Sequence, residues 1–248
     1  VGGYYTQFKN GMAVMVFYHD FYQNFVNYAI RGIDRLHFGG ELGLEVKLSP
    51  TVTLNAAAAI GRYYFDSKQQ AVVTVDNSAA VIGRDIIYME NFKVPSTPME
   101  AYSVSLNYRS PKFWFVSLTG SYFDQSYLSM NPLRRTWDAL QYLTPGTADY
   151  KSVFDQAKFD AQYTIDFFGG YSWKLPKAYE VNDKSTFLVF NVGINNLLNN
   201  KKIITGGFEQ LRYDQQLIAA DPVQVGKFPP RLFYAYGLNF FASATLRF

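Results

Sequence analysis

Cysteine is absent from the 248-residue chain, which excludes disulfides, thiolate metal sites and cysteine nucleophiles together. Histidine is almost as scarce. His19 and His37 lie far apart with no HExxH context, so no zinc-hydrolase motif is present. The glycine pairs in "GGYS" and "GGFEQ" lie in or beside strand-like stretches and open no helix, so neither is a phosphate cradle. Charged residues make up 17% of the chain and the formal charge is +3, which points to no nucleic-acid partner. No run approaches the ~18 apolar residues of a membrane-crossing helix. The nearest, "TVTLNAAAAIG", is short and carries Asn55. Val1 follows no charged-then-apolar leader, so a signal peptide is expected to be cleaved or to lie upstream.

Aromatic residues, by contrast, are abundant: 20 Tyr, 22 Phe and 3 Trp. They are diluted by polar neighbours, and the mean hydropathy is −0.11. The dilution has a period of two, the signature of strands with one apolar and one polar face. In 35–48, Leu36, Phe38, Leu42, Leu44, Val46 and Leu48 oppose His37, Glu41, Glu45 and Lys47. The pattern recurs in 51–65, 100–109, 113–123, 158–175, 187–196 and 234–248. "MAVMVFYHDFY" is apolar on both faces, and "GGYYTQF" reads as a partial strand before it. That gives eight strands and a partial ninth.

The connections alternate in length. Turns at the two "SP" pairs and the segment 176–184 are short or moderate, whereas 24–34, 66–98, 126–157 and 198–232 are long and rich in Gly, Pro, Asn and Asp. Strands long enough to cross a bilayer, with turns short on one side and long on the other, predict an all-β transmembrane antiparallel up-and-down β-barrel. Tyr63, Tyr64, Trp114, Tyr122, Tyr171 and Trp173 fall near strand ends, as aromatic girdles do. Closure is expected because an open sheet edge in hydrocarbon leaves backbone groups without partners.

On this reading Glu41, Glu45, Asp160, Asp166, Asn191, Asn195 and Arg247 face the lumen. Asp160 and Asp166 invite comparison with a glycosidase pair. Carboxylates that solvate a bore and pair across strands account for them better, and no catalytic residue, metal or cofactor is expected. In the loop "YFDQSYLSMNPLRRTWDALQYL", Tyr127, Arg134, Arg135, Trp137 and Tyr142 form a candidate binding set for sugars or peptides. Solvated loops or lipopolysaccharide-facing edges explain the same residues equally well.

The ending "YAYGLNFFASATLRF", with Phe240, Leu246 and terminal Phe248 in alternation, resembles the insertion signal of bacterial outer-membrane proteins, which the barrel-assembly machinery reads. The stretches "FNVGINNLLNNKKI", "GGFEQLRYD" and "KFPPRLFYAYGLNFFASATLRF" resemble the C-terminal part of TonB-dependent outer-membrane transporters, most closely the SusC/RagA-like importers of Bacteroidetes. The likeness is motif-specific over about 187–248 and extends as strand pattern to about residue 35. It implies a 22-stranded barrel with a luminal plug coupled to the TonB complex, long loops outside, the C-terminus in the periplasm, and a possible SusD-like surface lipoprotein as partner. Residues 1–248 would then be the C-terminal part of the barrel domain, since plug, TonB box and more than half of the strands are missing. The function implied is active uptake of a glycan, peptide or chelated metal across the outer membrane of a Gram-negative bacterium, in contact with lipid and lipopolysaccharide. The alternative is a self-contained eight-stranded barrel serving as passive pore, anchor or adhesin.

Overall fold

The computed structural model describes residues 1–75, 78, 80–180, 184–211 and 228–248. Antiparallel strands dominate it. Eight form a meander that we term the wall: β1 (Gly2–His19), β2 (Asn24–Lys47), β3 (Val52–Phe65), β6 (Glu100–Arg109), β7 (Trp114–Asp124), β8 (Gln162–Lys174), β9 (Phe187–Asn195) and β12 (Asn239–Arg247). A hairpin of β4 (Gln69–Val75) and β5 (Val81–Ile87) joins the same sheet, while β10 (Ile204–Phe208) and β11 (Arg231–Tyr234) pair separately. Among the described residues β1 and β12 are the outer edges of the wall and do not pair, so the sheet is open.

The register explains the alternation. One row runs Val46, Leu54, Leu106, Leu118, Phe167, Ile194 and Phe240, unbroken over seven strands. The adjacent row on the opposite face runs Glu45, Asn55, Ser105, Thr119 and Asp166. Cross-strand neighbours of like character reinforce each other pair by pair, and a slip of one residue would put every apolar side chain on the polar face. Polar partners also bond along that face: Ser105 Oγ lies 2.7 Å from Thr119 Oγ1, and Ser117 Oγ donates to Asn107 Oδ1 at 2.6 Å. Among the described residues the apolar row stays open to its surroundings. Leu118 and Leu106 are about half exposed, and Phe240 is 73% exposed.

Five expectations are corrected. The partial strand "GGYYTQF" and the strand after it are one element, β1, which bulges where Asn10 adopts a positive φ of 57°. Segment 24–34 is no loop but the upper half of β2, and 66–98 contains the β4–β5 hairpin. Asp160 lies outside any strand, because β8 starts at Gln162 and the preceding Phe159 is drawn into a buried core. The last strand starts at Asn239 rather than Tyr234, because 231–234 pair with β10 instead. Parts of the expected loops, 181–183 and 212–227, lie outside the described residues.

Candidate functional site

Connections 66–99, 125–161 and 196–238 leave the wall at one end, and the short ones, 48–51, 110–113 and 175–186, at the other. At the long end β1 and β2 overrun β3. Residues 26–31 of β2 exchange partners from β3 to β4, pairing Val26 with Val75 and Arg31 with Gln70. The alternation of this overhang turns Val26, Tyr28 and Ile30 inward, where they meet Phe17, Val73 and Ile87. Short helices α1 (Trp137–Leu140) and α2 (Ala148–Phe154) cover them with Ala139 and Val153, and the link between the helices adds Leu143. This assembly, termed the cap, holds the main buried cluster among the described residues.

A buried ion pair ties it together. Arg135, fully buried at the end of a 3₁₀ turn (Pro132–Arg135), grips Glu209 just beyond β10. Its Nη2 donates to Glu209 Oε1 at 2.9 Å, and Nη1 meets Oε2. The remaining donors go to carbonyls: Nε to Phe154 at 3.0 Å, Nη2 to Asp155 at 2.9 Å and Nη1 to Asn131 at 3.2 Å. Asn131 caps the turn by accepting from Leu133 N at 3.0 Å, and its own backbone N–H donates to Glu209 Oε2 at 2.8 Å. A buried charge is tolerable only with such saturation.

The candidate binding set therefore divides. Arg135 is enclosed in the scaffold and presents no donor outward. Arg134 spends its guanidinium on the carbonyls of Val153 and Ser152 and on Glu209. Tyr127 is half-buried and donates to Gln125 Oε1 at 2.8 Å. Trp137 and Tyr142 remain on the surface, 64% and 61% exposed. Trp137 lines a recess of about 530 Å³ with Tyr88, Leu140, Leu143, Tyr150 and Phe154, whose walls are apolar and aromatic. Tyr88 follows β5, in a stretch whose composition is that of a loop, and no spacing in the chain groups it with Trp137.

Titratable groups missed by the sequence reading gather beside the core. Tyr28 donates to Asp85 Oδ2 at 2.7 Å, and the His19 ring lies 4.7 Å from that of Tyr22. Burial pushes the Asp85 carboxyl up, against the pull of the Tyr28 bond, and pushes the His19 imidazole down. Only a fold that adds β4–β5 to β2 brings these residues together.

Of the lumen candidates, Glu41, Glu45, Asp166, Asn191, Asn195 and Arg247 all stand on the polar face of the wall. Asp166 accepts from Asn196 N at 2.7 Å, and Asn195 Nδ2 donates to Asn239 Oδ1 at 2.9 Å. Two recesses open on this face, one of about 460 Å³ beside Glu41 and Ser103 and one of about 680 Å³ beside Glu45 and Asn107. Phe240 and Leu246 stand on the apolar face, opposite Ile194 and Leu188, and Phe248 follows the strand, exposed. No family model matches the chain, and no curated protein matches it.

Proposed function

We propose that the chain supplies barrel wall and extracellular loops to an active nutrient importer of the outer membrane, of the TonB-dependent, SusC/RagA-like kind. One observation carries the reading: among the described residues the apolar row across seven strands, Val46 to Phe240, is left exposed at Leu106, Leu118 and Phe240, while the face behind it carries the polar row. In water such a surface is a liability; against acyl chains it is the expected outer surface of a barrel. Tyrosines 102, 122 and 163 align across three strands near the cap, and Trp114 aligns with Tyr171 near the turns. From Tyr163 to Tyr171 is about 27 Å along the strand at ~3.4 Å per residue, comparable to an apolar band of ~25 Å between girdles. The open edges of β1 and β12 would each need a partner in hydrocarbon, which favours a larger barrel. The cap then faces the exterior, and cargo enters past it with energy from TonB.

The count of eight meandering strands favours a second reading, a small closed barrel. Cysteines introduced along the outer edges of β1 and β12 separate the two, because only direct closure lets them form a disulfide within one chain. The main test is transport. A deletion strain is grown on candidate glycans, peptides and chelated metals, with and without TonB. Loss of growth on one cargo, reproduced by TonB removal, supports active import; uptake independent of TonB overturns it. A polypeptide that stays monodisperse without detergent overturns the membrane wall itself.

A further inference from the structure

Just below the cap, on the polar face, three rows of the wall bring together aromatic rings, an imidazole and a guanidinium. Phe8, Arg35 and Phe65 are cross-strand neighbours on β1, β2 and β3. The next row is Thr6, His37 and Tyr63, and the next Tyr4, Gly39 and Gly61. The two glycines matter by what they omit: a Cβ at either would strike the Tyr4 hydroxyl, which lies over them in hydrogen bond with that of Tyr63. The His37 ring sits 4.8 Å from Tyr63 and 5.1 Å from Phe8, and Arg35 Cζ lies 5.7 Å from the Phe8 centroid.

Arg35 has no acid. Among the described residues no carboxylate lies within ion-pair distance of it. Its Nε is enclosed without a hydrogen-bond partner, and so is His37 Nε2 two residues on. Glu41, further toward the turns, is the acid on this stretch of the face. Enclosed polar atoms of native proteins ordinarily have partners; here two lack them beside a half-buried cation without an acid, and the rest of the Arg35 guanidinium is left for an acceptor from outside.

We propose that Arg35 and His37, with the Tyr4–Tyr63 hydroxyl pair at its edge, form a binding site for a carboxylate carried on a flat apolar group. The guanidinium fork matches the two oxygens of a carboxylate. One cation balances one negative charge, whereas a phosphate dianion leaves a charge uncompensated. The rings of Phe8 and Phe65 flank the fork and take the apolar part of the ligand. The proposal rests on the wall reading only for placing the patch on the bore, where it names the class of cargo.

Binding is measured directly on the purified protein in detergent, independently of uptake, so a failed transport assay and a failed site are distinguishable. Benzoate is titrated calorimetrically, with benzamide as the uncharged analogue and inorganic phosphate as the competing oxyanion. The expected result is saturable benzoate binding, weakened at least ~10-fold in Arg35→Gln and about threefold in Arg35→Lys, which keeps the charge but loses the fork. Arg109→Gln, an exposed arginine elsewhere on the polar face, leaves it unchanged. Heat-modifiable electrophoretic mobility confirms that each variant is folded, and Arg35→Lys decides the matter if Arg35→Gln is not. Absence of saturable benzoate binding, equal affinity in a folded Arg35 variant, or benzamide or phosphate binding as tightly as benzoate overturns the proposal.

Discussion

Wall and cap use the same residue types in opposite ways. In the cap, Val26, Tyr28 and Ile87 are wholly enclosed by other side chains, as in any water-soluble domain. In the wall, Leu44, Leu106 and Leu118 are about half exposed, although they are no less apolar. β2 passes from one regime to the other without interruption. Chain composition therefore does not decide which side of a strand is the interior; the surrounding solvent does. The cap supplies its own apolar medium, and on the proposed reading the wall borrows one from the membrane.

The contrast is broken most severely at Glu209. Glu209→Gln removes the charge that compensates Arg135, and a buried ion left alone costs about 3–5 kcal/mol. Limited proteolysis is expected to show cleavage within 125–161 while the wall stays resistant; equal loss of both would mean that cap and wall fold as one unit. A somewhat smaller effect is expected from Leu118→Arg, a charge set in the middle of the apolar row, at about 2–4 kcal/mol in a bilayer. Unfolding in lipid vesicles measures it, and a change of less than ~0.5 kcal/mol, the usual range for a water-exposed site, would place that face in water.

The smallest effect is electrostatic and confined to the cap. His19, held below its ordinary value by burial, favours the neutral form in the fold, so its contribution is intact above the unfolded value of ~6.5 and is lost as pH falls from there toward the folded value. Asp85, held above its ordinary value by burial, acts in the reverse sense: its cost is absent below the unfolded value and grows as pH rises through the folded one. Asp85→Asn keeps an acceptor for Tyr28 and sheds the desolvated charge, so cap stability at pH 7 is expected to rise. Hydrogen exchange of β4 and β5 as a function of pH reports both effects.

The sequence is legible where its period is legible. Residues 35–48 carry side chains of opposite kind at each step, and the register of β2 with β3 follows from that pattern. Residues 24–34 alternate as well, with Val26, Tyr28 and Ile30 inward, but Gly32 and the polar residues between them give the composition of a loop. Arg135 stands in the sequence as a candidate binding residue but in the fold as buried scaffold, because an arginine's burial depends on a partner and Glu209 is 74 positions away. Among the lumen candidates only Asp160 fell off the polar face, where strand pairing began two residues later.

Where β2 changes partners, Gly32 takes a φ of +69° and its carbonyl accepts from Ser67 Oγ at 2.6 Å. The same serine oxygen accepts from Asp34 N at 3.0 Å, and Asp34 Oδ1 holds the bulged Asn10 N at 2.7 Å. This corner is thus laced on both flanks. Twenty-four residues of continuous strand make β2 a beam about 80 Å long at ~3.3 Å per residue, anchored at the joint rather than pivoting on it. Tilting the outer portion as a rigid flap would strain every lace at once, so in the proposed importer any gating would fall to pieces smaller than the cap.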